Sequence, residues 1–232
     1  MNPNETPLTV MLLTYGEQPE RAEYAYRTLH AVLDRMWYPG PLFVHIADDG
    51  SPEQHRSVLA EIAGGYTHLA GITVSNSARG GYGASYNAAT QAIHSRGGAV
   101  LPLEDDWELT VPLDAGRMVG CLGDEIQCIR LGYLGWTQPL RAQLLGVDGV
   151  TFWLLDPESA EPHVFAGHPR IETVEFERRV GEWPLGLNAG ATEFAVAHRP
   201  ASRIGVAWPN GWPGFGHIGT VQARTDQLEA VT

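Results

Sequence analysis

Apolar residues along the first half of the chain fall into short continuous runs separated by longer periodic segments. Leu8 to Thr14 is an unbroken apolar run, the mark of a buried strand. Pro19 to Met36 follows, with Ala22, Tyr26, Leu29, Leu33 and Met36 at three- and four-residue steps. That spacing puts one apolar stripe on a helix whose first turn suits Pro19, and Trp37-Tyr38-Pro39-Gly40 ends it. The alternation repeats with a strand over Pro41 to Ala47 and a helix starting at Pro52, capped by Ser51. A strand over His68 to Ser75, a helix from Ala84 to Ser95 broken by Gly97-Gly98, and a strand over Ala99 to Leu103 complete the series. Strand and helix in strict turn predict βαβ units, hence an α/β fold with a mainly parallel sheet flanked by helices.

The second half is less regular and β-rich. Ala115 to Leu122 reads as a short helix, and Ile126 to Leu131, Ala142 to Leu145 and Val150 to Leu155 as strands, the last two joined by a hairpin at Asp148-Gly149. Val174 to Glu177 alternates apolar and acidic residues and reads as a half-buried strand. No linker composition separates the halves, so residues 1–232 are taken as one domain with two parts, 1–110 and 111–232.

Polar clusters sit where the predicted parallel strands end: Thr14-Tyr15-Gly16, Asp48-Asp49-Gly50-Ser51, Asn76 to Gly83, and Glu104-Asp105-Asp106. Open parallel sheets bind ligands at those ends. Three consecutive carboxylates repel one another unless solvated or sharing a cation, and their hard oxygens suit Mg2+ or Mn2+. Such an ion bridges two phosphates and stabilises a departing diphosphate. The glycine-rich loop before the third helix allows close backbone approach, its helix N-terminus offers free N–H groups to an anion, and Arg79 can pair with a phosphate. It lacks the Gly-Lys-Ser/Thr ending of a Walker loop and follows the third strand, so it is not a dinucleotide fingerprint either.

Composition narrows the partners. With 44% hydrophobic and 18% charged residues the chain is a folded domain, not a disordered one. Its net charge of -12 disfavours non-specific binding to nucleic acid or anionic membrane, while leaving room for a small phosphate ligand neutralised by a metal or a local arginine. Cys121 and Cys128 form neither a disulfide framework nor a zinc pattern and read as buried small hydrophobes. No signal peptide and no apolar run of about 20 residues is present, so a soluble, cytoplasmic protein is expected.

The succession Thr14-Tyr15, Asp48-Asp49-Gly50-Ser51, Asn76…Gly80…Asn87 and Leu103-Glu104-Asp105-Asp106 resembles the GT-A fold, family-2 glycosyltransferases over roughly the first half of the chain. The resemblance implies a Rossmann-like GT-A domain, with residues 1–110 binding a nucleotide sugar and residues 111–232 facing the acceptor. It implies that Thr14, Tyr15 and Asp48, with Asp49, meet the nucleoside of a uridine-type donor. Arg79, Gly80 and Asn87 line the nucleotide and donor sugar, Asp105 meets the ribose, and Asp106 holds the metal. His217, in Gly214-Phe215-Gly216-His217-Ile218-Gly219, resembles the late histidine that some GT-A enzymes place on the metal or diphosphate.

The family's C-terminal acidic motif is not recognisable. An inverting displacement needs a base for the acceptor hydroxyl, and Glu193, Glu182 and Asp156 are the carboxylates considered, Glu193 first. Trp208 and Trp212 beside Pro/Gly turns are considered for stacking on an acceptor sugar. The expected activity is metal-dependent transfer of a sugar from a nucleoside-diphosphate donor to an acceptor hydroxyl. A non-catalytic nucleotide-sugar or glycan-binding protein is the alternative. A nucleotidyltransferase ranks lowest, because Thr14-Tyr15-Gly16-Glu17 lacks a glycine-rich basic signature after the first strand.

Overall fold

The apolar runs of the first half become parallel strands, and the periodic segments become the helices between them. The computed structural model describes residues 1–132, 140–159, 164–211 and 214–220. The first half contains β1 (Leu8–Thr14), α1 (Pro19–Arg35), β2 (Met36–Trp37), β3 (Leu42–Asp48), α2 (Glu53–Gly64), β4 (Leu69–Asn76), α3 (Tyr82–His94) and β5 (Ala99–Glu104). β1 lies parallel between β3 and β5, and β4 pairs parallel with the outer side of β3. Every residue of β1 is buried, as a strand covered on both faces requires. Its side chains alternate between two apolar layers: Leu8, Val10 and Leu12 pack with Leu29 and Val32 of α1, whereas Met11 and Leu13 pack with Tyr86 and Ala89 of α3.

The first half ends with β6 (Trp107–Leu109), and the second supplies β7 (Leu113–Asp114), α4 (Ala115–Gly120), β8 (Cys128–Arg130), β9 (Ala142–Val147), β10 (Val150–Leu155), β11 (Arg170–Thr173), α5 (Val174–Val180), α6 (Ala189–Ala197), α7 (Pro200–Arg203), β12 (Val206–Pro209) and β13 (Phe215–His217). The large sheet has nine strands in the order β4-β3-β1-β5-β11-β8-β12-β10-β9. β11 runs antiparallel to both β5 and β8, so the sheet is parallel through the first half and mixed beyond β5. Two short ribbons, β13 with β6 and β2 with β7, lie outside it.

The Asp148-Gly149 hairpin forms as expected, with both residues at positive φ (48° and 75°), the conformation a two-residue turn of matching twist needs. Cys121 and Cys128 are both buried free thiols. Two local expectations fail. Val174 to Glu177 is the start of α5, not a strand: Thr173 Oγ1 caps it by accepting the Phe176 N–H at 2.9 Å, and four residues are too few to separate the two periods. Ser51 does not cap α2, whose N-cap position is Pro52; the Ser51 hydroxyl instead accepts the Gly16 N–H at 2.8 Å.

Candidate functional site

Strand register decides which polar residues meet. Thr14 pairs with Asp48 and Leu13 with Glu104, so the carboxyl ends of β3, β1 and β5 open side by side at one edge of the sheet. Thr14 Oγ1 donates to Asp105 Oδ2 (3.2 Å) and lies 2.8 Å from His55 Nε2, while the Tyr15 N–H donates to the same Asp105 oxygen at 3.1 Å. A Cβ on Gly16 would run into the His55 ring, so only glycine lets the β1 loop pass. Burial holds that imidazole below its ordinary pKa, opposed by the Asp48 charge.

Asp48 is fully buried. Its Oδ2 accepts from Gly50 N–H (3.2 Å), Ser51 N–H (3.0 Å) and Arg56 Nη1 (3.0 Å), while its buried Oδ1 has no hydrogen-bond partner. Asp49 Oδ1 accepts from the Ser77 hydroxyl (2.6 Å) and the Gly81 N–H (2.9 Å), tying the β3 loop to the glycine-rich loop. That loop holds Ala78, Arg79 and Gly81 at positive φ (50°, 65° and 88°), and a Cβ on Gly80 would stand 2.6 Å from the Ala84 Cβ. Arg79 is exposed, pairs with Glu17 and lies 5.8 Å over the Tyr15 ring.

At the end of β5, Arg21 reaches across from α1. Its guanidinium pairs with Asp105 and with Asp106 Oδ2 (2.7 Å). Burial pushes the Asp105 carboxyl upward, and the Arg21 charge opposes that. Asp106 Oδ1 is buried without a hydrogen-bond partner. β13 pairs His217 with Trp107, the Ile218 N–H donates to the Asp106 carbonyl at 2.8 Å, and His217 Nε2 stands 3.4 Å from Asp106 Oδ2. A Cβ on Gly219 would lie 2.5 Å from that oxygen. The donors suit a divalent ion: an unpartnered carboxylate oxygen and an adjacent imidazole are ligands manganese accepts. Among the described residues no group of three or more metal-ligating side chains gathers, so Asp106 and His217 would be the protein's share of such a shell.

The second half closes this edge. Glu193, on α6, accepts the Gly167 N–H through Oε1 at 2.6 Å. Burial first, then the charges of Asp106 and of Glu193, push the Glu104 carboxyl up to about 8. The Gly167 loop is held from beneath by buried Arg170, which donates to the Gly167 carbonyl (3.2 Å), the Tyr86 hydroxyl (2.7 Å) and Glu172 Oε2 (2.7 Å).

Thr14, Tyr15, Asp48, Asp49, Asp105, Asp106, Gly80, Arg79 and His217 thus belong to adjoining loops and strand ends, with Glu193 brought to them on α6. Others do not follow. Asn87 uses both ends of its amide on the Trp183 backbone, accepting its N–H at 2.8 Å and donating to its carbonyl at 3.0 Å, which anchors a loop and fixes the amide toward that loop. Glu182, beside that anchor, is exposed. Asp156 ends β10, paired with Arg141 at 2.9 Å, with β12, β8 and β11 between it and β5. Trp208 is a strand residue only 9% exposed, with the Arg130 guanidinium 5.1 Å over its ring, so no open face is presented for stacking. Trp212 lies outside the described residues.

Arg21 and Glu104 went unassigned in the sequence. The signal for Arg21 was a charge on the buried stripe of α1, which runs through Arg21, Ala25, Thr28, Leu29 and Val32 and is turned slightly from the predicted one. Glu104 is the last residue of β5, one step beyond the predicted strand, and its signal was its place at the head of the carboxylate trio.

No family model matches the chain, and no curated protein matches it in sequence. Solved structures do. The mannosyltransferase PcManGT of Pyrobaculum calidifontis, in complex with GDP-Man and Mn2+, aligns at 17% identity and a TM-score of 0.57 over 89% of this chain and 58% of its own. S. aureus TarS aligns at 14% identity and 0.63, over 90% of this chain and 36% of its own. GalNAc-T7 with UDP, GalNAc and Mn2+ aligns at 18% identity and 0.61, over 95% of this chain and 45% of its own. The chain therefore spans less than two thirds of these proteins. No helix among the described residues is long and apolar enough to cross a membrane. A parallel half-sheet with its carboxylates at the strand ends, extended by antiparallel strands and matched over nine tenths of its length by these structures, is the GT-A fold of glycosyltransferases.

Proposed function

We propose that the chain is a metal-dependent glycosyltransferase that moves a sugar, with inversion, from a nucleoside-diphosphate donor to an acceptor hydroxyl. The observation that carries this reading is convergence: Asp48 ends β3 and Asp106 lies in the turn that follows β5, on either side of β1, and Glu193 is carried by α6 to the same edge. Unlike a solvated surface cluster, this one keeps Asp48 Oδ1 and Asp106 Oδ1 buried and unpartnered. Buried polar atoms without partners are costly, and a bound ligand relieves them.

In this reading Asp48 Oδ1 accepts a hydrogen bond from the base or ribose of the nucleoside, with Thr14, Tyr15 and Asp49 fixing the loops around it. Arg79 exchanges Glu17 for a phosphate. Asp106 and His217 would hold Mn2+ or Mg2+, which when bound offsets the charge of the departing diphosphate. Glu193 takes the acceptor proton while the acceptor oxygen forms its bond to the anomeric carbon and the diphosphate leaves on the opposite face. The Gly167 N–H, donating to Oε1, aims the Glu193 carboxylate.

The test is release of nucleoside diphosphate from UDP- and GDP-sugars with Mn2+ or Mg2+ across an acceptor panel. Turnover is expected to fall on the order of a hundredfold in Asp106→Asn. A protein that binds the nucleotide tightly and releases nothing over hours is the non-catalytic binder.

A further inference from the structure

We propose that Arg21 is a resident counter-cation of the carboxylate cluster, and that it makes divalent-metal binding conditional on the donor's diphosphate. The inference rests on the reading of Asp106 and His217 given above. The guanidinium is buried, cannot lose its proton, and pairs with two carboxylates at once, Asp105 and Asp106 Oδ2. A bridge serving only to fasten α1 to the sheet would be complete on Asp105, whose carbonyl already accepts the Thr28 hydroxyl of the same helix at 2.9 Å.

The charges decide the consequence. Asp105 and Asp106 bring two negative charges, and Arg21 returns one positive charge within contact distance. A free metal ion reaching the cluster meets half of the carboxylate charge already neutralised. It finds one unpartnered oxygen, Asp106 Oδ1, on a carboxylate whose other oxygen stands 3.4 Å from His217 Nε2. Two protein ligands next to a fixed cation make a poor site for an ion that takes six. An ion that arrives with a nucleoside diphosphate brings phosphate oxygens as further ligands. The complex carries net negative charge, so the same Arg21 attracts it. Arg21 therefore holds Asp105 and Asp106 in place before any metal arrives, and favours metal and nucleotide binding as a unit.

Equilibrium dialysis of the full chain against Mn2+, with equal UDP or GDP on both sides or neither, tests this. Wild-type protein is expected to retain Mn2+ at least about tenfold more tightly with nucleotide than without. Arg21→Gln is expected to raise affinity for Mn2+ alone on the order of tenfold, closing that gap from the metal side. Arg21→Lys keeps the charge but reaches only one carboxylate. It should tighten Mn2+ alone by less, and it serves where the glutamine variant does not fold. Equal wild-type retention with and without nucleotide overturns the proposal, as does a glutamine variant, or in its absence a lysine variant, no tighter than wild type for Mn2+ alone. Asp106→Asn separates the two levels. If it still retains Mn2+ with nucleotide, the ligand assignment itself is wrong. If it loses the ion while the Arg21 variants behave as wild type, only the role of Arg21 is wrong.

Discussion

The two halves of the sheet bring residues to the same edge by different means. In the parallel half each polar side chain stands at a strand end and is held by several groups: Asp48 Oδ2 by three donors, Asp49 Oδ1 by two, and Asp105 by Thr14, Tyr15 and Arg21. Beyond β5 the contributions come from short elements through fewer side-chain contacts, Glu193 by one backbone N–H and His217 by its approach to Asp106 and an edge-to-face contact with Trp107. On the proposed reading, a densely bonded first half beside a lightly held Glu193 means that damage to the second half should cost turnover more than folding. Damage to the first should cost both.

The largest effect that would break this contrast is on Glu193. Glu193→Gln should lower kcat by about a hundredfold or more while leaving donor KM within a few-fold, because the amide keeps the Gly167 contact and loses the base. A loss confined to KM would place Glu193 in donor binding and dissolve the division of labour. Next comes Gly219→Ala, at the junction of the halves. The added methyl must displace the Asp106 carboxylate, and the expected cost is roughly 1–3 kcal/mol of stability together with a raised Mn2+ requirement. Unchanged denaturant midpoints and Mn2+ dependence in that variant would mean the β13 turn yields freely.

The smallest expected effect belongs to the first half alone. His45 of β3 is buried, with Thr73 Oγ1 at 2.8 Å and Ser75 Oγ at 3.0 Å from its two ring nitrogens. Burial, with the Arg96 charge adding, holds its pKa at about 4, below the ordinary 6.5. The folded chain thus resists a proton that the unfolded chain accepts below about pH 6.5. The stability His45 contributes is present above that pH and is lost as pH falls toward 4. His45→Gln should shrink the drop in melting temperature between pH 7 and pH 4.5 by roughly a few °C. An unchanged drop would move the acid sensitivity elsewhere.

What was legible in the sequence follows the same divide. Continuous apolar runs and period-3.6 stripes long enough to distinguish made the parallel half legible, and parallel topology then dictates that its strand ends share an edge. Asn87 misled because an amide one turn into α3 serves a chain segment 96 residues away, a pairing no local pattern encodes. Arg21 was hidden for the converse reason: its partners lie 84 and 85 residues on, so in the sequence it is one charge among the many on α1. Val174 to Glu177 shows the limit of periodicity in a four-residue window, where the Thr173 cap decides. Trp208 shows that a tryptophan beside a turn can be core, because β12 is flanked on both sides by strands of the same sheet.

The Glu17–Arg79 pair has a consequence for the outer rim. Both side chains are about half exposed (50% and 55%), and a pair so open to water contributes about 0–1 kcal/mol. In the proposed reading an incoming phosphate competes with a carboxylate that solvent already half satisfies. With a Debye length of about 8 Å at physiological ionic strength, added salt weakens both pairings of this arginine, while the buried bridges of Arg21 are shielded from it. The rim of the cleft responds to its medium, and its floor does not.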